Sequence, residues 1–385
     1  MAADNDFYKF AMQNAVLKHY PSALVKYEFK SRTKTEFPES MQKELNEFID
    51  HMQHTYFIDD SITAMRKIGV FDSTYLEYLR HHRFNPNEVC VTQTDEDLKV
   101  EICGPWYSAI LWEVPLLAAI SELYYLKLGI APKFRKERYK TNVDKVDKLI
   151  KHKVNFIEFG TRRRFSFGVQ NELLDDMSTR KQISQYCLGT SNVLLATTHN
   201  MRPIGTQAHE WFMFHGAIFG PQMATSIALD KWAETYKGKL GIALTDTYTT
   251  DWFLRSFDYV RASLWDGVRQ DSGDPMEFAD KIIKHYESLG IDPSTKTIVF
   301  SDSLDVDKVL EIEEYVNKRI KTVYGIGTNF TNDVGVDPLN IVIKMTACSY
   351  NREGFVPTVK LSDNPGKRSG PQEYAGLYNS MVNML

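Results

Sequence analysis

The stretch "TIVFSDSLD", residues 297–305, sets the reading of the whole chain. Four β-branched or aromatic residues in a row favour a strand. The run stops at Ser301, and a polar loop with Asp302 leads into a helical pattern. The same grammar recurs upstream and downstream, in "FIEFGTRRR" (156–164), "YCLGTSN" (186–192), "RPIGTQAHEW" (202–211), "GIALTDTY" (241–248), "LWDGVRQDSGD" (264–274) and "VYGIGTNFTND" (323–333). Seven strand–loop–helix units in series predict an α/β fold with a parallel sheet and helices outside it. Seven is many for an open sheet and favours a barrel. In either architecture ligands meet the C-terminal ends of the strands, where the polar residues of this chain gather.

Outside that region the pattern changes. Residues 10–20 read as a helix, 24–33 as a strand, and "MQKELNEFIDHM" (41–52) as a helix. "VCVTQTDEDLKVEICG" (89–104) reads as two strands about an acidic turn, and 109–129 as a long apolar helix whose start is limited by Pro115. A charged helical stretch follows. After residue 340, "NIVIKMTACSY" and "FVPTVKLSDNPGK" read as two strands that return to complete the first sheet. The expected division is residues 1–135 plus 340–385 as one α/β domain, and 150–339 as the barrel.

Composition narrows the function classes. With 385 residues the chain can bury a large core without disulfides. Its net charge of −4 gives no global attraction to nucleic acid or anionic lipid, so an anionic ligand must be met by local cations or backbone N–H groups. No apolar run reaches the roughly 18 residues that a bilayer span needs. "MAADNDFYKF" is too polar for a secretory signal. Cys90, Cys103, Cys187 and Cys348 are scattered, with no zinc spacing, and read as reduced thiols of a cytoplasmic protein.

Each candidate site residue has a plain alternative. Gly325, Gly327 and Thr328 can cradle a phosphate with backbone N–H groups and a hydroxyl, or simply form a tight turn. Asp246 and Asp302, just past strand ends, can hold ribose hydroxyls or Mg²⁺, or face a developing cation, or cap helices. Arg269 and Asp271 face one side of an extended chain, as an anion clamp or as a structural pair. In extended chain Arg162 and Arg164 point one way and Arg163 the other, a ready anion receptor at a strand end. His209 is not the start of a zinc H-E-x-x-H, because residue 213 is Met213. It is a buried capping histidine, a general base or a nucleophile. Glu210 shares no helix face with it, so its partner must come from another unit, and Asp246 is the expected one.

Taken in order, "DNDFYKFAMQNAV", "ILWEVPLLAAISE", "EFGTRRRFS", "LGTSN", "PIGTQAHEW", "GIALTDT", "RQDSGDP", "FSDSLD", "GIGTNFTND", "PLNIVIK" and "KLSDNPGK" resemble the nicotinate phosphoribosyltransferase family over nearly the whole chain. The resemblance implies an irregular α/β barrel with a second α/β domain built from both chain ends. It implies transfer of phosphoribose from phosphoribosyl pyrophosphate (PRPP) to nicotinate, as the entry step of NAD salvage, coupled to ATP hydrolysis through a phosphohistidine. It also implies Mg²⁺, with no protein ligand assigned, and a homodimer with sites at the subunit interface. The family's phosphohistidine falls on His209, and its nicotinate contacts on Tyr8, Thr206 and Arg269. A phosphate-contacting threonine falls on Thr328. Arg162, Asp246, Asp271 and Asp302 match the phosphoribosyl pocket. Relatives carry more residues before the "DNDFYK" segment and often a longer helical tail.

Two enzyme rivals and one binding rival follow. A nicotinamide phosphoribosyltransferase is similar, but has an aspartate suited to an amide where this chain has Ser191. A quinolinate enzyme needs a more basic pocket and no phosphohistidine. A non-catalytic metabolite-binding relative is disfavoured because every chemically capable position is intact.

Overall fold

The computed structural model describes residues 1–94, 97–180, 182–351 and 354–383. Three strands, β1 (Leu24–Ser31), β2 (Val89–Gln93) and β3 (Leu98–Pro105), lie before the barrel region. The barrel region supplies β4 (Phe156–Glu158), β5 (Cys187–Thr190), β6 (Ile242–Leu244), β7 (Gly267–Gln270), β8 (Thr297–Phe300) and β9 (Lys321–Ile326). After it come β10 (Ile341–Ser349) and β11 (Val356–Pro357). Two sheets result, ordered β11-β10-β1-β3-β2 and β5-β4-β9-β8-β7-β6.

The first sheet is antiparallel throughout. Strand β1 alternates exposed and buried residues, with Val25, Tyr27 and Phe29 facing the core, as expected of a sheet wet on one face. The acidic turn expected between β2 and β3 includes Asp95 and Glu96, which lie outside the described residues.

The second sheet is parallel throughout, so all six strands end at the same side of the molecule. All of β4 and most of β7 and β8 are buried, the signature of strands covered on both faces. Among the described residues six strands form in this sheet where seven were expected. In "RPIGTQAHEW" only a bridge to Thr190 forms, through Thr190 N to Arg202 O and Ile204 N to Thr190 O. Pro203 has no N–H to extend it. The approach is close: a Cβ on Gly189 would stand 2.0 Å from the Arg202 carbonyl oxygen. β5 and β6 therefore stay unpaired with each other, and the barrel is irregular.

Helix Glu113–Lys127 tolerates Pro115 because it falls in the first turn, where backbone N–H groups have no intrahelical partner. The expectation of no membrane-length run needs correction. Trp106–Lys127 has the length and a mean hydropathy of 1.4, but 72% of that window is buried inside the fold. "FVPTVKLSDNPGK" also departs from expectation, since only Val356–Pro357 joins the sheet. The chain then crosses the barrel mouth, where Leu361 N donates to Thr247 O and Thr250 donates to Asp363. Helix Gln372–Asn383 packs beyond it, with the Tyr378 hydroxyl donating to Gly216 O.

Candidate active site

A cavity of about 400 Å³ opens at the C-terminal ends of the parallel strands and continues between them. Tyr8, Arg162, Thr206, His209, Arg269 and Asp271 line it, over a floor that includes Ile157, Leu244, Val299 and Val323. Residues more than 260 positions apart in sequence thus share one wall. Gly205 permits this, since a Cβ there would meet the backbone N of Tyr8 at 2.7 Å. Tyr8 lines the cavity of its own chain, fixed by Asp6, which accepts from the Ser191 hydroxyl at 2.7 Å.

His209 is the first residue of helix His209–Phe219, whose N-terminus favours negative charge. Its Nδ1 lies 3.1 Å from the Thr247 hydroxyl. Its Nε2 lies 3.0 Å from Asp271 Oδ2 and 2.8 Å from Lys360 Nζ. Asp246, the expected partner, is farther at 3.6 Å. Asp271 and Thr247 orient the ring instead, because β7 delivers Asp271 to the cavity while Asp246 points behind it. The Nε2 either donates to Asp271 or accepts from Lys360, and the Thr247 hydroxyl serves Nδ1 in both tautomers. Burial and the Lys360 ammonium pull the imidazole below its usual range, against Asp246 and Asp271. A neutral imidazole keeps a lone pair for nucleophilic attack.

Asp271 also accepts from Arg269 Nη2 at 2.8 Å and from the Ser301 hydroxyl at 2.9 Å. Burial alone would raise its carboxyl, but Arg269, His209 and Lys360 outweigh that and hold it well below the usual range. Arg269 is fixed further by Nε to Ser301 at 2.8 Å and Nη1 to Gln207 O at 3.3 Å. Three of its five N–H groups are so engaged, and among the described residues two stay free for an anion in the cavity.

Asp246 and Asp302 are not helix caps. Thr249 caps helix Thr250–Ser256 and Asp305 caps helix Val306–Val316. Asp246 is fully buried and accepts from Ser272 at 2.5 Å, with Lys360 Nζ at 3.2 Å. Asp302 pairs with Lys367, which also donates to Asp271 O at 2.7 Å. Neither carboxylate lines the cavity. The arginine triplet is not extended but forms a 3-10 turn, so its side chains do not alternate. Arg162 faces the cavity and Arg164 pairs with Asp4 at 2.7 Å, while Arg163 lies 3.4 Å from Asn340. Gly325, Gly327 and Thr328 do not line the cavity. Gly325 makes room for the ring of Phe159, which does, since a Cβ there would stand 2.5 Å from it.

Sequence reasoning assigned no role to Lys360 or Lys367. Both sit in "KLSDNPGK", outside the strand–loop–helix grammar, and their spacing carries no period. The one available signal was a pair of lysines about a Pro-Gly turn in an acidic chain.

His209, Asp246 and Asp271 each bring one ligand atom within 4.8 Å of the others. Asp246 Oδ1 is buried without a hydrogen-bond partner among the described residues. This donor set fits a cation held by carboxylates and completed by substrate phosphates, the usual manner of Mg²⁺. Lys360 is the positive charge now beside these groups.

Two family models match: the nicotinate phosphoribosyltransferase N-terminal domain over residues 3–121 and the nicotinate phosphoribosyltransferase family over 154–379. The chain belongs to the nicotinate phosphoribosyltransferase family. It is 47% identical to the nicotinate phosphoribosyltransferase of Desulforapulum autotrophicum, over 96% of this chain and 95% of that one. It is 46% identical to that of Chromohalobacter salexigens, over 97% and 96%. A crystal structure of nicotinate phosphoribosyltransferase from Porphyromonas gingivalis superposes with a TM-score of 0.95 at 38% identity, covering 100% of this chain and 99% of that one. The corresponding structure from Vibrio cholerae gives 0.91 at 34% identity, over 100% and 93%. The irregular barrel and its antiparallel companion are thus the nicotinate phosphoribosyltransferase architecture.

Proposed function

We propose that the chain transfers phosphoribose from PRPP to nicotinate, giving nicotinate mononucleotide and pyrophosphate, and that ATP hydrolysis is coupled through phosphorylated His209. The observation that carries the coupling is the setting of His209. A neutral imidazole at a helix N-terminus, within 3.0 Å of Lys360 and Asp271, is placed to accept a phosphoryl group and to hold the resulting charge.

The remaining residues take roles that follow from their positions. The free N–H groups of Arg269 meet the nicotinate carboxylate, and Tyr8 and Phe159 offer ring faces to the pyridine. This holds the ring nitrogen toward C1 of the ribose. As the C1–O bond breaks, the sugar gains cationic character, and Asp271, on the cavity wall beside Arg269 and His209, is the carboxylate that stabilises it. Lys360 and Lys367 neutralise phosphate oxygens at the mouth. Mg²⁺, when bound, supplies charge to the departing pyrophosphate. Phosphate on Nε2 would displace Lys360 from Asp246 and loosen the strap over the mouth, which ties ATP use to substrate affinity. A homodimer belongs to the same reading, and sedimentation equilibrium tests it.

Product analysis decides the reading. Nicotinate with PRPP is expected to give nicotinate mononucleotide, with ATP consumed in step. His209→Asn is expected to lose the ATP dependence and keep a slower, ATP-independent transfer. ATP-independent use of nicotinamide alone overturns the assignment. Full coupling in His209→Asn overturns the phosphohistidine. Binding of PRPP without turnover identifies a sensor.

A further inference from the structure

Behind the cavity lies a buried ionic cluster that the reading above does not use. Lys9 is fully buried, and its Nζ lies 2.6 Å from Glu210 Oε1 and also contacts Glu113. Glu113 in turn faces Arg162 Nη1 at 3.5 Å. Charges alternate along the chain Arg162–Glu113–Lys9–Glu210 and sum to zero. Such a cluster is a poor stabiliser, because desolvating ions costs about as much as their attraction returns, and packed apolar side chains do as well or better.

Its connections point to another role. Lys9 follows Tyr8, Glu210 follows His209, and Glu113 pairs with Arg162. Every member is one peptide bond or one ion pair from a residue lining the cavity. The three helices that meet there, Phe7–His19, Glu113–Lys127 and His209–Phe219, come from regions about 100 residues apart in sequence, and each brings one charge. Lys9 Nζ also lies 5.4 Å from the Tyr8 ring centroid, and the Arg162 guanidinium 5.9 Å from the same ring. A sliding helix would break a charge pair in a dry interior, so the cluster holds the three helices to one register. We infer that Lys9, Glu113 and Glu210 are positioning residues that keep Tyr8 in register with Arg162 and His209, and so set how the pyridine acid is seated.

The test uses the charge-balanced double variant Lys9→Met/Glu210→Gln, which leaves the Glu113–Arg162 pair intact. It is assayed for nicotinate mononucleotide formation beside the parent, so that parent turnover is established in the same experiment. The expected result is a KM for nicotinate raised about tenfold or more, with the KM for PRPP and the melting temperature near the parent's. A folded double variant with parental KM for nicotinate overturns the inference and leaves the cluster a packing feature. Equal increases in both KM values also overturn it, as general loosening of the site. If the double variant does not fold, Glu210→Gln decides on the same split, since it keeps the volume and leaves Lys9 its Glu113 partner. A parent without nicotinate turnover would count against the proposed function, not against the cluster.

Discussion

The two sheets bury comparable strands and do opposite work. In the antiparallel sheet successive strands end at opposite sides, so no set of side chains converges. Tyr27, Val91 and Ile102 are spent on the core. In the parallel sheet every strand ends on the same side, and the residues just past those ends, Arg162, Asp271 and Ser301 among them, share one mouth. Direction of strands, more than composition, separates a packing layer from a reactive one. The contrast predicts that substitutions at the mouth will cost activity without stability, and substitutions in the antiparallel sheet the reverse.

Arg269→Ala tests the first half and carries the largest expected effect. Its removal takes away the charged donors proposed for the nicotinate carboxylate, while Asp271 keeps His209, Ser301 and Lys360. We predict a fall in kcat/KM for nicotinate of about 10³-fold with little change in melting temperature. A large loss of melting temperature would show that the pair with Asp271 is structural, and the contrast would fail at its clearest point.

Ile102→Ala tests the second half. Ile102 is 1% exposed on β3, opposite Tyr27 of β1 and Val89 of β2. Truncation should cost about 3 kcal/mol of stability by leaving a cavity. The KM for nicotinate in the folded variant should stay at the parental value. Altered KM with intact stability would mean that the antiparallel sheet transmits strain to the mouth.

The same contrast explains what was legible in the sequence. Strand–loop–helix units are local, so most of the barrel strands, and the positions of His209, Arg269 and Asp271, follow from runs of ten residues. What the local pattern misses depends on contacts distant in sequence. The pairing of His209 with Asp271 rather than Asp246 turns on which carboxylate β6 and β7 point inward. Lys360 arrives from 151 residues away, in a strap with no periodicity. The Lys9 cluster is hidden for the same reason, since Lys9, Glu113 and Glu210 lie about 100 residues apart on three helices and no local spacing pairs them. Tyr8 was reachable only through the family resemblance.

The smallest predicted effect concerns acid. His82 and His215 lie in the packing layers and are buried at 6% and 0% exposure. His82 closes helix Ser73–His81, with Nδ1 3.3 Å from the Tyr78 hydroxyl and its ring edge-on to Phe84. Burial, then Arg83, pushes it down to about 4. Burial pushes His215 down to about 3, against the Trp211 carbonyl that its Nδ1 bonds. Free imidazole takes its proton near pH 6.5, so on acidification the unfolded chain binds protons that the folded chain refuses. The stability these neutral rings permit is full above about pH 6.5 and falls as pH drops toward the folded values. Between pH 7 and pH 5.5 the loss is about 1 kcal/mol per histidine. His82→Phe keeps a ring among Phe57, Tyr78 and Phe84 and cannot titrate, so denaturant melts across that range should show a shallower slope by one histidine's share. An unchanged slope would mean that His82 already reaches solvent and that this layer is less sealed than the mouth it supports. Steady-state constants for nicotinate at neutral pH should not move, because the rings that His82 meets, Phe57, Tyr78 and Phe84, do not line the cavity.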